Sequence, residues 1–120
     1  MNATFDVVEG LTLVNPVGRL DFEASAIFQK QMEQVIAEAA GRSSQPVLVN
    51  CAALDYVSSA GLRVFLVAAR AAKSAGIRFS VCALTASVKE VFDVSGFSRI
   101  IDVQADLDSA KGVLAASRSA

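Results

Sequence analysis

Residues 51–70 read CAALDYVSSAGLRVFLVAAR, and the paired hydroxyls Ser58 and Ser59 are the side chains in this chain best placed to do chemistry. They stand where apolar residues change from strand-like to helical spacing, so they fall at a helix mouth. A serine there has three uses. It can cap the helix by accepting an amide N–H, worth about 1 kcal/mol. It can act as a nucleophile, which requires a base within hydrogen-bond reach. It can also accept a phosphoryl group from another enzyme, which requires only exposure and room for a kinase. The sequence has no histidine, Lys73 and Lys89 bear no special spacing to the serines, and YVSSAG is not the G-x-S-x-G elbow of hydrolases. Nucleophilic catalysis is therefore poorly served. Capping needs one serine and leaves the other unexplained.

Other chemistries find still less support. Cys51 and Cys82 are the only cysteines, without CxxC spacing or a histidine to share a metal, so neither a zinc site nor a metal cofactor is expected. They read as small buried residues in a reducing compartment, which places the chain in the cytoplasm. No phosphate-binding glycine loop is present, and no cofactor is expected. Eleven basic residues face twelve acidic ones for a net charge of -1, with no basic track to suit a nucleic-acid backbone. Arg63, Arg70, Lys73 and Arg78 read as solvated side chains. Mean hydropathy is high at +0.47, yet GLRVFLVAARAAKSAGI is interrupted by charge well short of the ~18 apolar residues that a span requires. The first ten residues lack the marks of a secretory signal. Neither a membrane nor a nucleic acid is an expected partner.

The elements that must carry the serines follow from periodicity. TFDVVEGLTLVNPVG reads as two strands, about 4–8 and 11–17, around a Glu9-Gly10 turn. In the next segment Ala24, Ile27, Phe28, Met32, Val35, Ile36 and Ala39 form the stripe of a helix packed on one side, with Asp21 and Glu23 at its start and Gly41 at its stop. PVLVNCAAL is a short strand covered on both faces. A helix at about 60–74 follows, with Leu62, Phe65, Leu66, Ala69 and Ala72 inward. IRFSVCAL is a fourth strand. TASVKEVFDVSG is a helix with Thr85 as candidate cap and Val88, Val91 and Phe92 inward. RIIDV is a last strand, and the final helix is capped near Asp106. The expected fold is α/β: one domain with its core at about 4–116, a mixed and mostly parallel sheet of about five strands, and about four helices.

In such a sheet the parallel strands end on one edge, where ligands and partners are met. The turn 17–21, the loop 53–61 and the loop 83–87 are expected to share that edge. Asp21 and the serine pair thus become neighbours across nearly forty residues.

LDYVSSAGLRVFL (54–66), GRLD (18–21) and VKEVFDVSGFSRII (88–101), taken together, resemble the STAS domain family, in particular bacterial anti-sigma factor antagonists. The resemblance covers nearly the whole chain. It implies a binding protein rather than an enzyme, working by partner switching. The unphosphorylated form would sequester an anti-sigma factor that is also a serine kinase of the histidine-kinase-like ATPase fold. Phosphorylation at the helix start would release that partner, and a PPM-type serine phosphatase would reset the system. Carried onto this sequence, the acceptor is Ser59, two residues before Gly61, with Ser58 as the second choice. Ser58 here holds a position where many members carry aspartate. The resemblance makes Asp21, Tyr56, Val57, Ser58, Ala60, Gly61 and Arg63 the neighbours of the phosphosite and the partner interface, in a monomer. The alternative within the family is a phosphorylation-independent accessory subunit of a lipid-transport ATPase complex.

Overall fold

The computed structural model describes residues 1–119, with side chains as far as Leu114. The chain runs β1 (Asn2–Val8), β2 (Leu11–Leu20), α1 (Phe22–Gly41), β3 (Val47–Asn50), β4 (Leu54–Val57), α2 (Ser59–Ser74), β5 (Phe79–Cys82), α3 (Ala86–Val94), a 3₁₀ turn (Phe97–Arg99), β6 (Asp102–Gln104) and α4 (Leu107–Ser119). The strands lie in the order β1-β2-β3-β5-β6. Among the described residues only the β1–β2 pair is antiparallel, and the pairs β2–β3, β3–β5 and β5–β6 are parallel. Glu9 and Gly10 both have positive φ, 52° and 80°, which is the two-residue hairpin turn whose twist suits the strands on either side.

The layout departs from expectation at three points. Of RIIDV only Asp102 and Val103 are strand, since Arg99 closes the 3₁₀ turn and β6 runs from Asp102 to Gln104. β2 runs on to Leu20 rather than ending near 17, so GRLD is mostly strand. A sixth strand, β4, occupies the segment expected to be loop. It pairs with β2 beyond the reach of β3, matching Gly18 to Leu54, Arg19 to Tyr56 and Leu20 to Val57, with an irregularity between Gly18 and Arg19. The chain leaves β3, turns through Ala52 and Ala53, and rejoins the same neighbour farther along. The amide of Gly18 anchors the return by donating to the carbonyl of Ala53 at 2.9 Å.

Alternation along the strands divides the core between two faces. Val14, Val47, Val49 and Val81 point to the face covered by α1, α2 and α3. Leu11, Leu13, Leu48 and Cys82 point to the face covered by Ala110 and Leu114 of α4. Cys51 belongs to the first face and Cys82 to the second, so the two buried thiols sit on opposite sides of the sheet. Burial pushes both thiols up, Cys82 to about 11.

On the three-helix face, aromatic rings meet in series. Phe28 of α1 lies 6.0 Å from Phe65 of α2, Phe65 lies 5.5 Å from Phe92 of α3, and Phe92 lies 6.4 Å from Phe97 of the 3₁₀ turn. Such edge and tilted contacts add to burial and lock helices together. The helical stripes were not wholly as expected. Ile27 is 65% exposed and Ser25 is buried in its place, its hydroxyl donating to the carbonyl of Asp21 at 2.6 Å. Val91 is also exposed, Leu66 and Ala69 are only half-buried, and Val64 and Ala68 share the core with Phe65.

Candidate functional site

The parallel strands end on one edge, as expected, and the three loops there are stitched together. Thr85 does not cap α3 with its side chain; its hydroxyl donates instead to the carbonyl of Leu54 at 3.3 Å. The Ser87 hydroxyl donates to the carbonyl of Asp55 at 3.4 Å. The backbone N–H of Ser58 donates to the carbonyl of Leu20 at 2.9 Å. Asp21, next in the chain, is the N-cap of α1, and its carboxylate accepts from the amide of Ala24 at 2.9 Å. Two helix starts therefore meet at one backbone carbonyl.

The serine pair divides its work. Ser58 is the N-cap of α2, in extended conformation, and its hydroxyl accepts from the amide of Gly61 at 3.0 Å. Ser59 is the first helical residue and is exposed. Among the described residues its hydroxyl has no hydrogen-bond partner. Ser59 and Ala60, at the first two positions of the helix, have amides with no acceptor inside it. No acidic residue stands in the first turn. The helix mouth thus presents partial positive charge beside a free hydroxyl.

Gly61 explains why no side chain follows at the third helical position. A Cβ there would lie 2.7 Å from Leu20 Cγ and 2.8 Å from Leu20 O. The close approach of α2 to the end of β2 requires glycine.

The remaining expected neighbours separate into surface and core. Tyr56 is 39% exposed, with the Arg19 guanidinium 4.2 Å from its ring centroid, a stacking that orders both side chains. Arg63 is exposed and Ala60 half-buried. Val57 and Gly61 are buried; Val57 belongs to the core and presents no surface to a partner, because the pattern of β4 turns Leu54 and Val57 inward and Asp55 and Tyr56 outward.

One feature escaped sequence reasoning. Ser59 stands at the mouth of a groove that runs along α2 past Leu62, Arg63, Leu66, Val67 and Arg70 to Phe97. The spacing 59, 63, 66, 70 is a helical stripe, which is the signal that could have disclosed its α2 wall. Phe97 gives no such signal. Among the described residues there is no cluster that could hold a metal ion, and no helix long and apolar enough to cross a membrane.

An antiparallel edge strand on a parallel sheet, with a capped helix mouth and a free hydroxyl on the strand-end edge, defines a small α/β module. The STAS domain model matches residues 2–110, and the chain belongs to that family. It is 33% identical over 103 residues to BtrV of Bordetella bronchiseptica, assigned as an anti-sigma factor antagonist, covering 86% of this chain and 85% of that one. A Thermotoga maritima protein with the same assignment superposes with a TM-score of 0.84 at 16% identity, over 93% of each chain. The anti-sigma factor antagonist SpoIIAA superposes in its unphosphorylated form with a TM-score of 0.73 at 18% identity, over 91% of this chain and 92% of that one. The phosphorylated form of SpoIIAA, a Bacillus cell-fate determinant, gives 0.69 at 17% identity, over 93% and 99%.

Proposed function

We propose that this protein is an anti-sigma factor antagonist regulated by phosphorylation of Ser59. The observation that carries the reading is the division of labour between the serines. Ser58 is held in the cap, while Ser59 is exposed beside it at the same helix start. The unphosphorylated chain binds an anti-sigma factor that is also an ATPase-type serine kinase. The kinase transfers the γ-phosphoryl group of ATP to the Ser59 oxygen, ADP leaves, and the hydroxyl proton passes to the kinase or solvent. Hydrolysis by a PPM-type phosphatase returns the hydroxyl. The relationship to BtrV supports the antagonist role, and SpoIIAA supports a fold of this shape that carries phosphate.

The physical effect of the phosphate is local. It adds about -1.5 to -2 charge and three acceptor oxygens. Convergent amides and the helix dipole accommodate that charge without unfolding the domain. An interface formed against a neutral hydroxyl meets a hydrated dianion instead. A loss of about 3 kcal/mol lowers affinity roughly a hundredfold, enough to eject a partner. The test is incubation with candidate ATPase-type serine kinases and ATP, followed by mass spectrometry of peptide 43–63. Phosphate on Ser59, absent from Ser59→Ala, is the expected result. Stoichiometric phosphate on the Ser59→Ala chain would assign the acceptor elsewhere.

A further inference from the structure

The exposed face of α2 carries a charge that the rest of the chain does not. Residues 59–74 contain Arg63, Arg70 and Lys73 and no acidic residue, a local balance of +3, in a chain whose net charge is -1. All three are exposed. Among the described residues, Arg42, Arg78, Lys89 and Lys111 each stand within 4.0 Å of a carboxylate; Arg63, Arg70 and Lys73 do not, nor do Arg19, Lys30 and Arg99, but only on α2 do three such cations share one helix with no acidic residue. The groove of about 280 Å³ is lined by both arginines together with Leu62, Leu66, Val67 and Phe97, and by Ser59 at the N-terminal end of the helix. On either side of Phe97 in the chain, Val94 and Ile100 are 83% and 62% exposed. An apolar floor with an unpaired cationic rim asks for a ligand with the reverse pattern.

We propose that this groove seats an acidic amphipathic segment of the partner protein, its apolar side chains on the floor and its carboxylates against Arg63 and Arg70. A protein segment fits better than other polyanions. A nucleic-acid backbone would lay phosphates against apolar side chains, and an extended anionic bilayer would meet a chain whose net charge is -1. Charge complementarity of this kind governs encounter and specificity, and a helix laid in an apolar groove is a common recognition mode. The regulatory consequence rests on the Ser59 reading. Phosphate at the groove mouth, four residues from Arg63, adds about -1.5 to -2 to a +3 face and competes with the partner's carboxylates for the same guanidinium.

The test uses the isotope-labelled full chain and two synthetic amphipathic helical peptides that share a leucine face, one with glutamates and the other with lysines on the polar face. The glutamate peptide is expected to shift the amide signals of residues 59–73 and Phe97. Its affinity should fall at least tenfold in Arg63→Glu/Arg70→Glu, an exposed and unpaired pair whose replacement leaves the melting temperature unchanged. Phosphoserine installed at position 59 should weaken it likewise. Equal binding of the lysine peptide would overturn the proposal. So would signal shifts confined to β1 and α1, absence of glutamate-peptide binding up to ~1 mM, or comparable binding to phosphatidylglycerol vesicles or a DNA duplex at the same ionic strength. The two readings fail separately. Full affinity of the charge-reversed chain for a kinase that phosphorylates Ser59 would sink the groove alone. Glutamate-peptide binding without phosphate transfer would sink the switch alone.

Discussion

Replacing Gly61 by alanine sets two opposite expectations against each other. Helix propensity favours alanine over glycine by up to about 1 kcal/mol, so propensity alone makes Gly61→Ala stabilising. The structure reverses the sign. The new methyl would lie 2.7 Å from Leu20 Cγ, 2.9 Å from Leu20 Cδ2 and 2.8 Å from Leu20 O. The leucine side chain has little room to turn, being fully buried, and the oxygen is backbone that accepts the Ser58 N–H at 2.9 Å. Overpacking of this kind costs about 1–3 kcal/mol, and a stretched hydrogen bond adds about 1 kcal/mol. Set against the propensity gain, the net loss is about 1–3 kcal/mol, or roughly 4–12 °C in melting temperature for a domain of this size. Gly112 in α4 is the control, because a Cβ there meets nothing within 4 Å; Gly112→Ala should gain roughly 0.5–1 kcal/mol. Thermal and urea unfolding followed by circular dichroism measure both. If Gly61→Ala melted at or above the wild-type temperature, the close seating of α2 on the end of β2 would be refuted.

Three further outcomes are expected. Ser58→Ala should lose about 1 kcal/mol of stability through the lost cap, while Ser59→Ala stays within about 0.5 kcal/mol of wild type; equal losses in urea titrations would contradict the assigned roles. Both thiols should resist a disulfide reagent at pH 8 in the native chain and react on unfolding, because burial holds them protonated, Cys82 with its pKa raised to about 11; prompt stoichiometric reaction of the native chain would refute their burial. Ala83 has a φ of 57°, so Ala83→Gly should stabilise the chain by roughly 0.5–1 kcal/mol, the relief of left-handed strain less the entropy lost by glycine. A lower urea midpoint would count against that conformation.

What the sequence disclosed was governed by how local each signal is. The helix over 60–74, its serine mouth and its Gly76 stop were legible because cap, stripe and terminator lie within a few residues of one another. The cap at Asp106 was legible for the same reason, and its carboxylate accepts from the amide of Ser109 at 2.7 Å. β4 was not legible. It has four residues, its burial runs in-out-out-in rather than alternating, and its reason for being a strand is a neighbour thirty-six residues earlier. Ile27 fits a helical stripe as well as Phe28 does, and only the position of the sheet decides which of them is covered. The groove required Phe97, whose place depends on packing against Phe92. The arginines of α2 read as scattered in the sequence because helical winding, rather than proximity in the chain, brings Arg63 and Arg70 to one rim.

The four rings that run from α1 to the 3₁₀ turn have a consequence for signalling. With Phe28, Phe65, Phe92 and Phe97 interleaved, a tilt of any one helix on that face would unseat rings on its neighbours, which favours a block that keeps one posture. Any message such a block delivers must be written on its outside. Amide hydrogen exchange deep in these helices should then be indifferent to whichever state the outer face displays.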